Sequence, residues 1–358
     1  MNNDKLRIDG HKLMFHPQRV SSWLCGELIY PIYMEVSVAG ACNHRCVFCA
    51  LDFVGYQQRR LDAGVFALRL AEMGQLGLKS IMYSGEGEPL LHPDAASIVQ
   101  ATRRAGIDVA ITTNGVLLKP AKAEQILPHT DWIKVSFNAG TPESYARIHR
   151  CHAKDFHTVL ANLKHAVAFR QQHRLSCALG LQILLLPEVE NEVAGLAALA
   201  RDIGLDYLVV KPYSQHPQSK TAIYQDVSYA NASRLQEELS AFNTGDFRCL
   251  VRLETMRHWD QASKDYGRCQ ALPFWSYIDA GGNVWGCSMY LGDERFLYGN
   301  VHQQTFREIW EGERRRSSLE LVKQELDVSK CRINCRMEQI NQYLWNLTET
   351  PPPHVNFI

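Results

Sequence analysis

Three cysteines crowd into residues 42–49 in the pattern Cys42-x3-Cys46-x2-Cys49, and the next cysteine is Cys151. Thiolates are soft ligands that suit zinc and iron–sulfur clusters. A structural zinc site closes with four ligands, and an iron–sulfur cluster normally takes four thiolates, so three thiols leave one metal position open. An open position is useful where a small molecule must bind the metal. Spacing alone also admits zinc, or three buried structural thiols. A second set lies near the other end of the chain. Cys269, Gly282 and Cys287 form C-x12-G-x4-C, and Cys331-x3-Cys335 follows. Four thiols can close one site, whether zinc or cluster.

Alternating runs must position the first set. YPIYMEVSV reads as a strand ending just before Cys42, and Val65, Leu68, Leu70 and Met73 fall at helical spacing before the next strand, KSIMYSG. The pattern then repeats through strands DVAITTNG, DWIKVSFN, CALGLQILLL and DYLVVKP, with helices expected at Ala95–Ala105, Ala121–Leu127, Phe156–Gln172 and Glu192–Ile203. Such alternation implies right-handed βαβ units and a parallel sheet. Six units are too few for a closed eight-unit barrel, so the fold class is α/β, a partial (β/α)6 TIM-like barrel. Function in such sheets gathers at the C-terminal strand ends. Those ends hold the cysteine trio, Gly85–Pro89, Thr113–Gly115, Ser136–Asn138, Gln182 and Lys211–Tyr213. Past residue 215 the pattern changes: a helix is expected at Ser228–Phe242, a hairpin turns at Gly281–Asn283, and Leu319–Leu326 is helical. The expected division is an N-terminal extension over 1–31, the barrel over 32–215, a helical linker over 216–261, and a small α+β unit over 262–358 holding the second cysteine set.

The trio, with Phe48 before its last member, resembles the radical S-adenosylmethionine (SAM) superfamily. That resemblance implies a [4Fe-4S] cluster on Cys42, Cys46 and Cys49, with the amino and carboxylate groups of SAM on the fourth iron. SGEGEPLLHP resembles the family's GEP-type motif, which implies that Gly85, Glu86, Gly87, Glu88 and Pro89 meet the methionine moiety. Glycine suits such a place because it lets backbone come close to a ligand. TTNG, with Thr113 and Asn114, and VSFNAGTPESY are further matches. Ser136 and Asn138 correspond to positions that reach the ribose, although Asn138 stands where many members carry Asp. KPYS resembles the region lining adenine and substrate, which makes Lys211 and Tyr213, with Gln182, the candidate catalytic residues. The second set resembles the SPASM domain or its shortened twitch form. A full SPASM domain carries two clusters; four cysteines imply one auxiliary [4Fe-4S] cluster, with zinc as the alternative.

The resemblance implies that one electron breaks the C5′–S bond of SAM, and that a 5′-deoxyadenosyl radical then abstracts hydrogen from substrate. A closed auxiliary cluster suits accepting an electron afterwards, which favours dehydrogenation. The favoured substrate is a small polar metabolite: a sugar, aminocyclitol or sugar nucleotide. Only about thirty residues precede the first strand, too few for a leader-peptide domain, so a peptide-modifying maturase is the alternative. A non-catalytic metal-binding scaffold is a third reading. A flavodoxin or ferredoxin-type donor is the family's expected partner.

Lys+Arg and Asp+Glu both total 38, so no basic excess marks a nucleic-acid partner. No apolar run is long enough to span a bilayer, and MNNDKLRIDGHKL lacks the order of a secretory signal. That points to the cytoplasm, where eleven cysteines are better read as ligands than as disulfides. Cys25, Cys151, Cys177 and Cys249 read as buried free thiols, and His149, His152 and His157 as surface residues around a helix start.

Overall fold

In the computed structural model, residues 10–357 are described; the first nine residues of the expected N-terminal extension lie outside them. The six expected strands are present as β1 (Tyr33–Val36), β2 (Ser80–Tyr83), β3 (Asp108–Thr113), β4 (Trp132–Ser136), β5 (Ala178–Leu184) and β6 (Tyr207–Lys211). They pair in chain order, all parallel. After α1 (Pro17–Leu24), the connecting helices are α2 (Ala63–Gln75), α3 (Ala95–Arg104), α4 (Pro120–Ile126), α5 (Pro142–His149), α6 (Lys154–Gln172) and α7 (Val193–Ile203). Local chemistry sets their starts. Asp62 caps α2 by accepting from Val65 N at 2.8 Å, and Thr141 with Ser144 forms a capping box at α5.

The two faces of the parallel sheet differ. One face carries Met34, Val36, Ile81, Val109, Ile111, Ile133, Val135, Leu181, Ile183, Leu208 and Val210, all buried in one core with helix residues such as Phe66, Leu70, Val159 and Leu196. Burying each such side chain stabilises the fold by about 1.5–3 kcal/mol. Strand alternation sends Glu35, Met82, Thr112, Lys134, Ser136, Gln182 and Lys211 to the opposite face. Thr112, Lys134, Ser136 and Lys211 are half-buried there, and Glu35 and Gln182 are buried polar residues on the same face, which marks it as a polar lumen.

The stretch expected to be a helical linker contains more than helices. Besides α8 (Ala232–Ser240) and α9 (Leu253–Gln261), it supplies a seventh parallel strand, β7 (Arg248–Val251), paired with β6. Four residues with arginine and cysteine among them are too short a run for a period-two signal. The C-terminal hairpin also joins the barrel sheet. Strand β8 (Trp275–Ile278) pairs parallel to β1, and β9 (Asn283–Trp285) and β10 (Leu297–Asn300) follow antiparallel. One open ten-stranded sheet results, in the order β10-β9-β8-β1-β2-β3-β4-β5-β6-β7. The final elements are α10 (Phe306–Glu311), α11 (Glu313–Gln324) and α12 (Glu338–Thr348). Among the described residues no helix is long and apolar enough to cross a membrane.

Candidate active site

Cys42, Cys46 and Cys49 lie on the loop that leaves β1. Burial raises all three thiol pKa values, with Cys42 pushed up to about 12, and neighbouring thiols of the trio add to the effect at Cys42 and Cys46. Three such thiols ionise together only when a metal cation replaces their protons. Donors are already turned to the sulfurs: His44 N lies 3.5 Å from Cys42 Sγ, and the Tyr56 hydroxyl donates to Cys49. His149 is not at the surface. It is buried, with Nε2 at 2.8 Å from Phe137 O and Nδ1 at 3.1 Å from Cys46 Sγ, and Phe48 packs edge-on against its ring.

Among the described residues, the trios whose ligand atoms lie within 4.8 Å of one another are His44, Cys46, His149 and His44, Cys151, Asp155. Neither cysteine set is one of these trios.

The GEGEP segment is built into the protein more than it is turned outward. A Cβ on Gly87 would stand 2.2 Å from Ala39 O and 2.4 Å from Ala41 O, so glycine here admits the loop leading to Cys42. Gly85, at φ +120°, leaves room for the Tyr277 hydroxyl. Glu86 is buried, bonded to Arg59 Nη2 at 2.6 Å and to Ala280 N at 2.8 Å. Glu88 accepts from Thr113 Oγ1 at 2.6 Å, Asn114 N at 2.8 Å and Leu90 N at 3.0 Å, while its own N–H reaches Ala41 O at 2.9 Å. Pro89 is buried at the head of a short turn. Asn114 Nδ2 then donates to Asn43 Oδ1 at 2.7 Å. This carboxylate-centred network clamps the ends of β2 and β3 to the cysteine loop.

The remaining candidates divide. Ser136, Gln182 and Lys211 share the lumen face, Ser136 directly across from Gln182. Asn138 does not: at φ +53° it is fully buried, and its Oδ1 accepts from Leu184 N at 2.9 Å. Asn tolerates that left-handed backbone better than most residues. Tyr213 is a core residue, its hydroxyl committed to Gln215 and its ring packed edge-on against Tyr224 and Trp259. Its carbonyl nonetheless accepts from Asn334 Nδ2 at 2.7 Å, anchoring the loop between Cys331 and Cys335. Asp52 binds Lys220 N and Ser219 Oγ, so the segment after β6 touches both cysteine loops.

Sequence reasoning missed Glu35, Lys134, Arg332 and Arg336. Arg336 reaches from the second cysteine loop into the lumen, to Glu35 Oε2 at 3.0 Å and Tyr33 Oη at 3.0 Å. Ser84 completes the Glu35 carboxylate at 2.8 Å. Alternation in WIKVS, apolar at 133 and 135 but polar at 134 and 136, carried the signal for Lys134.

Cys269, Cys287, Cys331 and Cys335 line a single cavity together with Arg332 and Arg336. Each sulfur has a polar neighbour: Asn341 Nδ2 at 3.7 Å from Cys269, Met289 N at 3.5 Å from Cys287, Tyr290 Oη at 3.5 Å from Cys331, and Met337 N at 3.4 Å from Cys335. Four convergent thiols with donors in place fit a closed cluster. A separate cavity of about 430 Å³, lined by Leu186, Ile223, Tyr229 and Leu235, holds none of these residues.

Residues 36–200 match the family model described as the Radical SAM superfamily, and residues 269–336 match SPASM, an iron-sulfur cluster-binding domain. Together these cover well over half of the chain, which belongs to the radical SAM superfamily and carries a SPASM-type domain. The two matched domains imply [4Fe-4S] clusters and SAM as cofactors. The GTP 3′,8-cyclase of Chlorobaculum tepidum is 28% identical over 213 residues, 58% of this chain and 61% of that protein. A probable GTP 3′,8-cyclase of Methanothermobacter thermautotrophicus is 34% identical over 118 residues, 33% and 38% of the two chains. The match thus spans less than two thirds of the length of these relatives. Among solved structures, Streptococcus suis SuiB superposes with a TM-score of 0.65 at 16% identity, covering 84% of this chain and 70% of that one. That likeness is one of fold.

Proposed function

We propose that this enzyme abstracts hydrogen from a small polar metabolite held in the barrel lumen. Cys42, Cys46 and Cys49 hold the cluster that SAM completes; Cys269, Cys287, Cys331 and Cys335 hold the second. When bound, the first cluster and SAM supply one-electron cleavage of SAM and a hydrogen-abstracting 5′-deoxyadenosyl radical. The observation that carries the reading is the polar lumen between the two cysteine sets, where Ser136, Gln182 and Lys211 share a face and Arg336 enters from the second loop. Glu35 and Arg336 tie that loop to β1. Glu88 and Asn114 fix the GEGEP backbone against the cysteine loop, holding the SAM-facing side rigid. Asn138 and Tyr213 act as positioning residues through their backbone anchors.

The name GTP 3′,8-cyclase carried by the similar relatives favours a metabolite over a peptide. It also favours a radical rearrangement over the dehydrogenation expected from the four-cysteine set. We place the enzyme in the cytoplasm, given eleven free thiols, with a flavodoxin or ferredoxin-type donor. The test is anaerobic reconstitution with iron and sulfide, followed by SAM, dithionite and a panel of metabolites and peptides. Metabolite-dependent 5′-deoxyadenosine with deuterium transfer from labelled substrate is the expected result. Turnover with peptides alone would overturn the substrate class, and no SAM cleavage under strong reductant would overturn the reaction.

A further inference from the structure

Two lysines stand on the lumen face of the sheet. Lys134 and Lys211 project from β4 and β6 on the same sheet face. Neither has an ion pair or a side-chain hydrogen bond among the described residues; Lys134 has only the Trp132 ring, 5.4 Å away. Burial lowers both lysine pKa values, and the cations crowd one another: Arg336 and Arg252 act on Lys134, and Lys134, Arg252, Arg336 and Arg332 act on Lys211. The carboxylate that acts on Lys134 is Glu35, already bonded to Arg336 and Ser84. Such a cluster costs folding free energy unless something anionic joins it. SAM does not fill that role, because its sulfonium and ammonium outweigh its one carboxylate.

We propose that the lumen binds its substrate by negative charge, taking a small molecule with two or more phosphate or carboxylate groups on Lys134, Lys211 and Arg332, beside Arg336. Lysines act as point charges that move to meet such a group, while the arginines offer flat, bidentate donors. Both arginines sit beside cysteines of the second set, at 332 after Cys331 and at 336 after Cys335. Substrate charge and cluster loop are therefore read together: the loop that closes on the metal also delivers half of the anion site. The inference rests on the lumen being the substrate site.

The test is direct binding to the cluster-loaded protein by calorimetry, using tripolyphosphate, citrate and neutral inositol as probes, with SAM cleavage by the wild type measured separately. Tripolyphosphate or citrate should bind and inositol should not, and the tighter of the two anions assigns phosphate or carboxylate. Lys134→Met and Lys211→Met should each weaken that binding about tenfold or more, and Lys134→Arg should restore most of it. Melting curves confirm that the variants fold, and the binding anion should raise the wild-type melting temperature. If no anion binds, or if binding is indifferent to both lysines, the inference is overturned. A protein that cleaves SAM yet ignores anions refutes only the charge reading; one that binds anions without cleaving SAM refutes only the radical reading.

Discussion

Replacing Gly87 with alanine tests whether the GEGEP segment is clamped to the cysteine loop. The added methyl would lie 2.2 Å from Ala39 O, 2.4 Å from Ala41 O and 2.8 Å from Gly40 C. Carbon–oxygen contacts close no further than about 3.3 Å, so one backbone must retreat by about 1 Å. Both are held, since Glu88 N–H donates to Ala41 O at 2.9 Å and the Glu88 carboxylate has three donors of its own. The strain should cost about 1–3 kcal/mol of stability. Ala41 directly precedes Cys42, so the shift passes into the cluster loop. Misplacement of about 1 Å in a reacting assembly lowers rates about 100-fold. The assay is 5′-deoxyadenosine formation from SAM with dithionite, with iron content and melting temperature measured in parallel. Gly195→Ala is the control: its Cβ meets nothing within 4 Å, and alanine in a helix gains up to about 1 kcal/mol. Wild-type SAM cleavage by Gly87→Ala, at unchanged stability, would refute the clamp.

Cys335→Ala should remove one cluster's worth of iron and leave the spectroscopic signature of the other, whereas Cys42→Ala should abolish SAM cleavage; iron analysis with electron paramagnetic resonance separates the two. Lys134 has its pKa lowered to about 7 by burial and then by Arg336 and Arg252, opposed by Glu35, with Lys211 facing it. The charged form that attracts anions is therefore present below that pH and lost above it, so anion affinity should fall as pH rises through about 7, and Lys134→Arg should flatten the profile. Thr141→Ala, which removes the capping box of α5, should cost about 1 kcal/mol in denaturant unfolding. Asp52→Ala should loosen the segment holding Lys220 and Ser219 and raise its amide exchange, with the distant helix α7 unchanged.

Much of the barrel could be read from local signals. Strands such as CALGLQILLL and helices such as Ala63–Gln75 announce themselves by apolar period, and their order implies parallel pairing. The cysteine trio and GEGEP stand out in the sequence because glycine and cysteine placement is a local constraint. What stayed hidden was set by long-range packing. Position 213 stands at a strand end, as a catalytic residue would, but nothing local says that the Tyr213 ring turns into the core. Arg336 meets Glu35 across three hundred residues of chain, so no window of sequence contains both. Lys134 was visible in the alternation of WIKVS, yet that pattern becomes informative only when one knows which face of the sheet the helices cover.

Pairing of β8 with β1 joins two segments separated by more than two hundred residues. During synthesis, the N-terminal barrel edge at Tyr33–Val36 has no neighbour on one side until residues 275–278 have emerged. The Glu88 contacts to Thr113 and Asn114 need only the chain up to residue 114, whereas the cysteine loop also leans on His149 and Glu86 on Ala280. Formation of the second site waits for a slow, non-local closure, and a chain stalled before that point presents an open sheet edge to its neighbours. Yield of the doubly loaded enzyme should accordingly depend on how long that edge is exposed, a property of chain order and not of either metal site.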